Sequence, residues 1–141
     1  MTAFADIAGA FIAALQQDPP VSDHIIRAGA RAVPEQASTA VNVSFDGSQP
    51  SPGAIMGAPV DWNTRIFVEL YARSSTTSGD LAVDPLLAAV YARLAADSTL
   101  GGAVDDIGTP AIEASFDAQG QKTGWVRLIY TVLHRTTAAT L

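Results

Sequence analysis

The chain has 141 residues, of which 16% are charged, and it carries a net charge of −6 and no cysteine. This length fits a single domain spanning residues 1–141. The acidic balance argues against nucleic-acid binding driven by phosphate neutralisation, and the missing cysteines exclude disulfides and thiolate metal sites. No run of about 18 apolar residues predicts a membrane span, and the first residues lack the basic segment of a secretory signal. We therefore expect a soluble protein of the cytoplasm that does not contact a membrane.

Residues 2–17 are predicted to form the first helix, because large apolar side chains recur at the three-and-four spacing of one helix face. These side chains are Phe4, Ile7, Phe11 and Leu15. Thr2 is the predicted N-cap, and Asp18 with the two prolines after it ends the helix. The helix lacks a polar face rich in lysine and arginine, so we expect it to pack in a core rather than on a lipid surface.

The segment after this helix is ambiguous. Residues 21–31 fit either a short helix or a strand, and Pro34 interrupts whichever forms. Residues 39–45 alternate apolar and polar side chains and are predicted to form a strand, after which Asp46 and Gly47 begin a turn.

Residues 46–61 are predicted to form a long flexible loop with three prolines. Loops of this length in a small domain are usually functional or disordered. The loop has an apolar centre at Ile55 and Met56. This centre fits either plain mobility or a docking surface.

The stretch from Trp62 to Arg73 is the most informative in the chain, because apolar side chains occupy every second position without a break. At about 3.3 Å per residue it reaches roughly 40 Å, whereas a usual strand has about 5–6 residues. The opposite face of this predicted strand carries Asn63, Arg65, Phe67, Glu69, Tyr71 and Arg73. A strand that overhangs a small domain indicates a protein that builds assemblies rather than one that encloses a substrate.

A polar loop, residues 74–80, separates this strand from the second helix. Asp84 is the predicted N-cap and Pro85 the first helical residue, where its missing N–H costs nothing. The helix runs to Ala96, and the glycine-rich segment 97–102 closes it. The predicted buried stripe consists of Leu86, Leu87, Val90, Tyr91 and Leu94.

The last part of the chain is predicted to be an antiparallel hairpin. Its strands are residues 107–116 and 125–136, and residues 117–120 form the turn. Together with the two earlier strands, this predicts an α+β fold: a mixed, largely antiparallel four-stranded sheet with long strands and helices on one face.

Few residues are candidates for catalysis or metal binding. His24 beside Asp23 is a weak candidate for a general base, because adjacent side chains seldom face each other. His134 lies late in a strand and is predicted to be an edge or interface residue. Asp105 and Asp106 fit the start of a strand better than a cation site, because the spacing of an EF-hand is missing. We expect no enzyme activity, no catalytic residue, no cofactor and no metal.

The charged face of the long strand is the stronger candidate. Arg65, Glu69 and Arg73 alternate there with Phe67 and Tyr71. One interpretation is a solvated face with cross-strand ion pairs. The other is a contact between subunits, since arginine and aromatic residues are enriched at interfaces. We favour the interface.

Four stretches resemble the tail terminator (tail completion, minor tail protein U-like) family of long-tailed bacteriophages. They are Trp62 to Arg73, Asp84 to Arg93, Asp97 to Gly102 and Tyr130 to Thr136. The resemblance covers roughly residues 62–137, and the first sixty residues agree only in the order of elements. It implies a virion structural protein without an active site, which forms a homohexameric ring on the head-proximal end of the completed tail tube.

Such a ring would stop addition of tube subunits and provide the head-tail joining surface. The implied partners are other copies of the chain, the major tail tube protein and a head-completion or connector protein, with DNA passing through the ring without specific binding. We assign the ring contact to the charged strand face and the tube or head contact to Ile55 and Met56. The alternatives are a head-tail connector or tube-like protein and, in another class, a small hydrolase or ligand-binding domain that uses His24 or the Asp105–Asp106 pair.

Overall fold

The structure is a computed structural model, and it describes residues 2–27, 37–116 and 123–141. It has an α+β fold in which a mixed sheet is covered on one face by two helices. The elements in chain order are α1 (Ala3–Gln16), β1 (Ile25–Arg27), β2 (Thr39–Pro50), β3 (Val60–Arg73), α2 (Gly79–Ala95), β4 (Asp106–Ile107), β5 (Ala111–Phe116) and β6 (Thr123–Thr136). Neither of these helices is long and apolar enough to cross a membrane.

The two long strands form the centre of the sheet. β3 and β6 have 14 residues each and pair antiparallel along their whole length, from Val60 opposite Thr136 to Arg73 opposite Thr123. β2 continues the sheet beside β3, and β1 pairs parallel with β2 at one edge. At the other edge, β4 and β5 both pair antiparallel with β6. The prediction of two long, alternating strands is confirmed.

The core lies between the helices and one face of the sheet. Alternate residues of the central strands point into it, and α1 and α2 cover them with their apolar stripes. The fully buried large side chains include Ile7, Phe11 and Leu15 of α1, Val90 and Leu94 of α2, and Val43, Ile66, Leu70 and Leu128 of the strands. The core-packing interpretation of the first helix is confirmed, as is its cap, because Thr2 Oγ1 accepts the Ala5 N–H at 3.5 Å.

The predicted number of four strands is wrong among the described residues, which form six. The ambiguous segment contains β1, so its strand interpretation holds for residues 25–27, while residues 28–36 lie outside the described part of the chain. The predicted strand 107–116 divides into β4 and β5, because Pro110 cannot donate to a ladder. The predicted turn at residues 117–120 also lies outside the described part.

The predicted loop 46–61 is too long at both ends. β2 does not stop at Phe45 but continues to Pro50, and β3 begins at Val60, so the connection is residues 51–59. A bulge at Asp46 replaces the predicted turn, since Phe45 pairs with Ile66 and Gly47 with Arg65. The bulge accommodates the polar Asp-Gly pair without ending the strand.

The second helix begins before its predicted cap at Asp84. It starts at Gly79 after Ser78, so Pro85 lies inside the helix. Residues 79 and 80, which were predicted to belong to the loop, are helical. The reason is tertiary: a Cβ on Gly79 would overlap the backbone at Thr123 and Gly124, so glycine lets the first turn lie directly against β6. In the buried stripe, Val83 is an unpredicted member, whereas Tyr91 is 43% exposed.

Candidate interaction surface

The face of the sheet opposite the helices is not covered by any described element; we call it the outer face. None of its residues on β3 and β6 is buried. They are Asp61, Asn63, Arg65, Phe67, Glu69, Tyr71 and Arg73 on β3 and Thr123, Trp125, Arg127, Ile129, Thr131, Leu133 and Arg135 on β6. The five residues predicted to contact another subunit all lie here, as the alternation of the strand predicted.

Arg127 organises the centre of the outer face. Its guanidinium carbon lies 4.5 Å from the ring centroid of Phe67 and 4.9 Å from that of Trp125. This geometry gives cation–π attraction to both rings. The same guanidinium lies 3.6 Å from a carboxylate oxygen of Glu69 and 3.5 Å from one of Glu113. The arrangement follows from register, because Glu69 and Glu113 lie directly opposite Arg127 on its two neighbouring strands.

Two more ion pairs flank this centre. Arg65 Nε lies 3.1 Å from the carboxylate of Asp46 in the bulge. Arg135 donates two hydrogen bonds to Asp61, at 2.6 and 2.9 Å. These bonds hold the pKa of the Asp61 carboxyl below its ordinary value and raise the pKa of Arg135. Exposed pairs stabilise a fold little, but they fix charges in a pattern that a complementary surface can recognise.

The structure brings some of the predicted contact residues together and separates others. Phe67 and Glu69 meet through Arg127. Tyr71 lies opposite Trp125 on the neighbouring strand, on the side of the central cluster nearer to Arg73. Arg65 stands apart from Arg73 by eight residues of extended strand, roughly 26 Å. The predicted set therefore spans the outer face rather than forming one compact site.

The second predicted contact is at the tip of the β2–β3 hairpin. Ile55 is 71% exposed and Met56 96% exposed. Met56 faces the end of the chain, where the hairpin and residues 137–141 line a groove of about 460 Å³. Exposed large apolar side chains side by side are typical of contact sites, but which partner binds them stays a prediction.

His134 does not lie where the sequence analysis placed it. It is only 5% exposed, so its prediction as an edge or interface residue is wrong. Its Nε2 lies 2.6 Å from Thr64 Oγ1, and its ring packs edge-to-face against Phe4 with centroids 5.5 Å apart. Burial lowers the pKa of His134, opposed by the nearby carboxylate of Asp105. His134 points to the helix side because it shares the phase of Val132, which the core covers.

The remaining candidates for chemistry are scattered. His24 and Asp23 are both exposed, and the backbone of His24 is used in the loop before β1, where its N–H donates to Ser22 Oγ at 3.2 Å. Asp105 and Asp106 lie at the start of β4, where the Asp105 N–H donates to the Leu133 carbonyl at 2.9 Å. Within residues 2–27, 37–116 and 123–141, no three metal-ligating side chains come together.

Three residues at the centre of the outer face were not predicted from the sequence: Trp125, Arg127 and Glu113. A signal was present, because Trp125 and Arg127 alternate in phase on a second long strand. Their importance depends on register, since Arg127 meets Glu69 only when β6 pairs with β3 as it does. No protein-family model matches the chain, and no curated protein matches it in sequence.

Proposed function

We propose that this protein is a virion structural protein that forms a homohexameric ring at the head-proximal end of a bacteriophage tail tube. In this role it ends tube polymerisation and provides the surface for head-tail joining. The observation that carries the proposal is the outer face, where 14-residue strands present aromatic side chains and fixed ion pairs that no described element covers. The sequence resemblance of residues 62–137 supplies the biological setting.

The composition of the outer face supports a contact between subunits. Aromatic side chains and arginine dominate its centre, as they dominate the energetic centres of protein interfaces. Its described ion pairs are satisfied within one chain, so burial against another chain would leave few unpaired charges. A closed ring requires heterologous contacts, in which the outer face meets a different patch of the neighbouring copy.

The tip of the hairpin supports a contact of another kind. Ile55 and Met56 lie at the end of the long strands and not on the outer face. A ring subunit needs surfaces that face the tube or the head in addition to those that close the ring. We therefore assign the tip to the tube or head protein, and DNA passes through the ring without specific binding.

Size-exclusion chromatography with light scattering tests the ring. The proposal predicts a discrete hexamer, whereas open-ended polymers would favour the tube-like alternative. A stable monomer over a wide concentration range would contradict both, and would leave the small hydrolase or ligand-binding domain as the alternative to examine.

A matched pair of variants locates the contact. Phe67→Ser combined with Tyr71→Ser should dissociate the ring and leave the circular dichroism spectrum unchanged. Leu81→Ser, which removes a 63% exposed apolar side chain from α2, should leave the ring intact. Arg65→Ala combined with Glu69→Ala should weaken the ring to a smaller degree. If the Leu81 variant dissociates and the outer-face variants do not, the assignment of the interface is wrong.

A further inference from the structure

A groove lies where β6 runs past the end of β4, close to the tip, and it shares Trp62 with the groove at Met56. It has a volume of about 480 Å³ and combines one backbone edge with several polar side chains. The residues that line it are Ser51, Asp61, Trp62, Asp105, Leu133, His134 and Arg135. We propose that this groove binds an extended, basic segment of a partner polypeptide, which adds as a short strand beside Arg135.

The backbone of Arg135 faces this groove. Along β6, the carbonyls of Thr131 and Leu133 accept hydrogen bonds from the β4 side, from Gly108 and Asp105 at 2.9 Å each. Backbone groups of an extended strand repeat every second residue, so the N–H and C=O of Arg135 point to the same side. The pairing of β4 ends at Leu133. Of the described strands, none pairs with β6 on that side at Arg135, which leaves one donor and one acceptor for an added strand.

The charge of the groove determines which kind of segment it binds. Asp61 is neutralised by Arg135, but Asp105 at the rim and Asp106 beside it are exposed and have no described salt bridge. The charged residues of the lining therefore sum to one negative charge, and Asp106 beside the groove adds a second. An added strand with lysine or arginine would place its cations against them, whereas an acidic segment would be repelled.

Fluorescence anisotropy with two labelled, end-blocked pentapeptides tests the proposal on the intact protein. One peptide alternates lysine with valine, and the other alternates glutamate with valine. At low salt, the lysine peptide should bind at least tenfold more tightly than the glutamate peptide. Asp105→Asn combined with Asp106→Asn should weaken lysine-peptide binding at least threefold.

Backbone variants distinguish strand addition from simple charge attraction. Arg135→Pro removes the outward N–H at a position where proline is tolerated, and it should abolish binding. Arg135→Ala keeps the N–H and should bind the lysine peptide at least as tightly as the parent, because Asp61 loses the cation that neutralises it. Ala114→Pro is the control at the open edge of β5, where the register turns the N–H of Ala114 away from β6.

Three outcomes would overturn the proposal. They are equal binding of the two peptides, loss of binding in Ala114→Pro but not in Arg135→Pro, and equal effects of the two Arg135 variants. Because all of these readouts are binding to peptides, they do not depend on whether the ring forms.

Discussion

The two faces of the central sheet are built from the same strands, yet their side chains differ in burial. On the inner face, Ile66, Leu70 and Leu128 are fully buried beneath the helices. On the outer face, at neighbouring positions of the same strands, Phe67 and Arg127 stay partly exposed and hold each other in place. Strand alternation alone separates the two sets.

The contrast indicates how a surface suited to contact with a protein differs from one that only meets water. A face that simply meets water usually carries polar residues without fixed partners, whereas a face that meets a protein carries anchored aromatic and arginine side chains. Arg127 is anchored by two rings and two carboxylates. This ordering is present within a single chain, so little side-chain entropy remains to be lost when a neighbour binds.

The largest effect should come from matched phenylalanine truncations on the two sides of the sheet. Phe11→Ala empties a fully buried site and should cost about 3–5 kcal/mol of unfolding free energy. Phe67→Ala removes a half-buried ring and should cost about 1 kcal/mol while weakening self-association. Urea unfolding of both variants measures the contrast. Equal losses of stability would mean that the outer face belongs to the fold rather than to an interface.

A smaller loss is expected where α2 crosses β6. Gly79→Ala forces a methyl group into the backbone at Thr123, and should destabilise the protein by about 1–3 kcal/mol. Gly108→Ala is the control, because its Cβ would meet only the Thr131 carbonyl at 3.5 Å, an ordinary contact. Thermal unfolding should separate the two variants. If they unfold at the same temperature, the glycine contact does not fix the start of the helix.

Two arginine variants separate the contribution of a side chain to folding from its contribution to association. Arg127→Met keeps an apolar stem and should change unfolding free energy by about 1 kcal/mol, with association weakened about tenfold. Arg93→Met should lower the unfolding free energy by more than this and leave association unchanged. The reason is that Arg93 donates hydrogen bonds to the carbonyls of Ala14, Gln17 and Pro19 at the end of α1. Sedimentation and urea unfolding give the two readouts. Loss of association in the Arg93 variant alone would reverse the roles we assign.

The smallest effect is a pH dependence from His134. Its folded pKa is depressed by burial, so the unfolded chain takes up a proton more readily than the folded one. This stability is complete above about pH 6.5, the ordinary histidine value, and is lost as the pH falls through the lower, folded pKa. His134→Gln should flatten the dependence of unfolding free energy on pH in that range. A flat profile in the parent protein would refute the assignment.

Much of the fold could be predicted from local patterns. The alternation from Trp62 to Arg73 and the spacing from Phe4 to Leu15 each determine one buried face, and the structure confirms both. Errors arose where distant parts of the chain decide the local structure. The start of α2 depends on Gly124, which lies 45 residues later in the sequence.

The candidate surface was predictable only in part. The alternation of side chains along β3 is enough to place Phe67 and Tyr71 on the outer face, because it does not depend on which strands pair with β3. The role of Arg127 required the register of three strands. The burial of His134 required knowing that Phe4 of α1 reaches the end of β6. Neither contact can be predicted from the residues next to it in the sequence.

Hydroxyl-radical footprinting of the assembled and dissociated protein tests the central claim most directly, because it reads side-chain exposure without mutation. If the outer face closes the ring, Phe67, Tyr71 and Trp125 become strongly protected on assembly. Met56 at the tip stays reactive until a tube or head protein binds. Unchanged reactivity of the three outer-face aromatics in an assembled sample would contradict the account, and the interface would have to lie elsewhere.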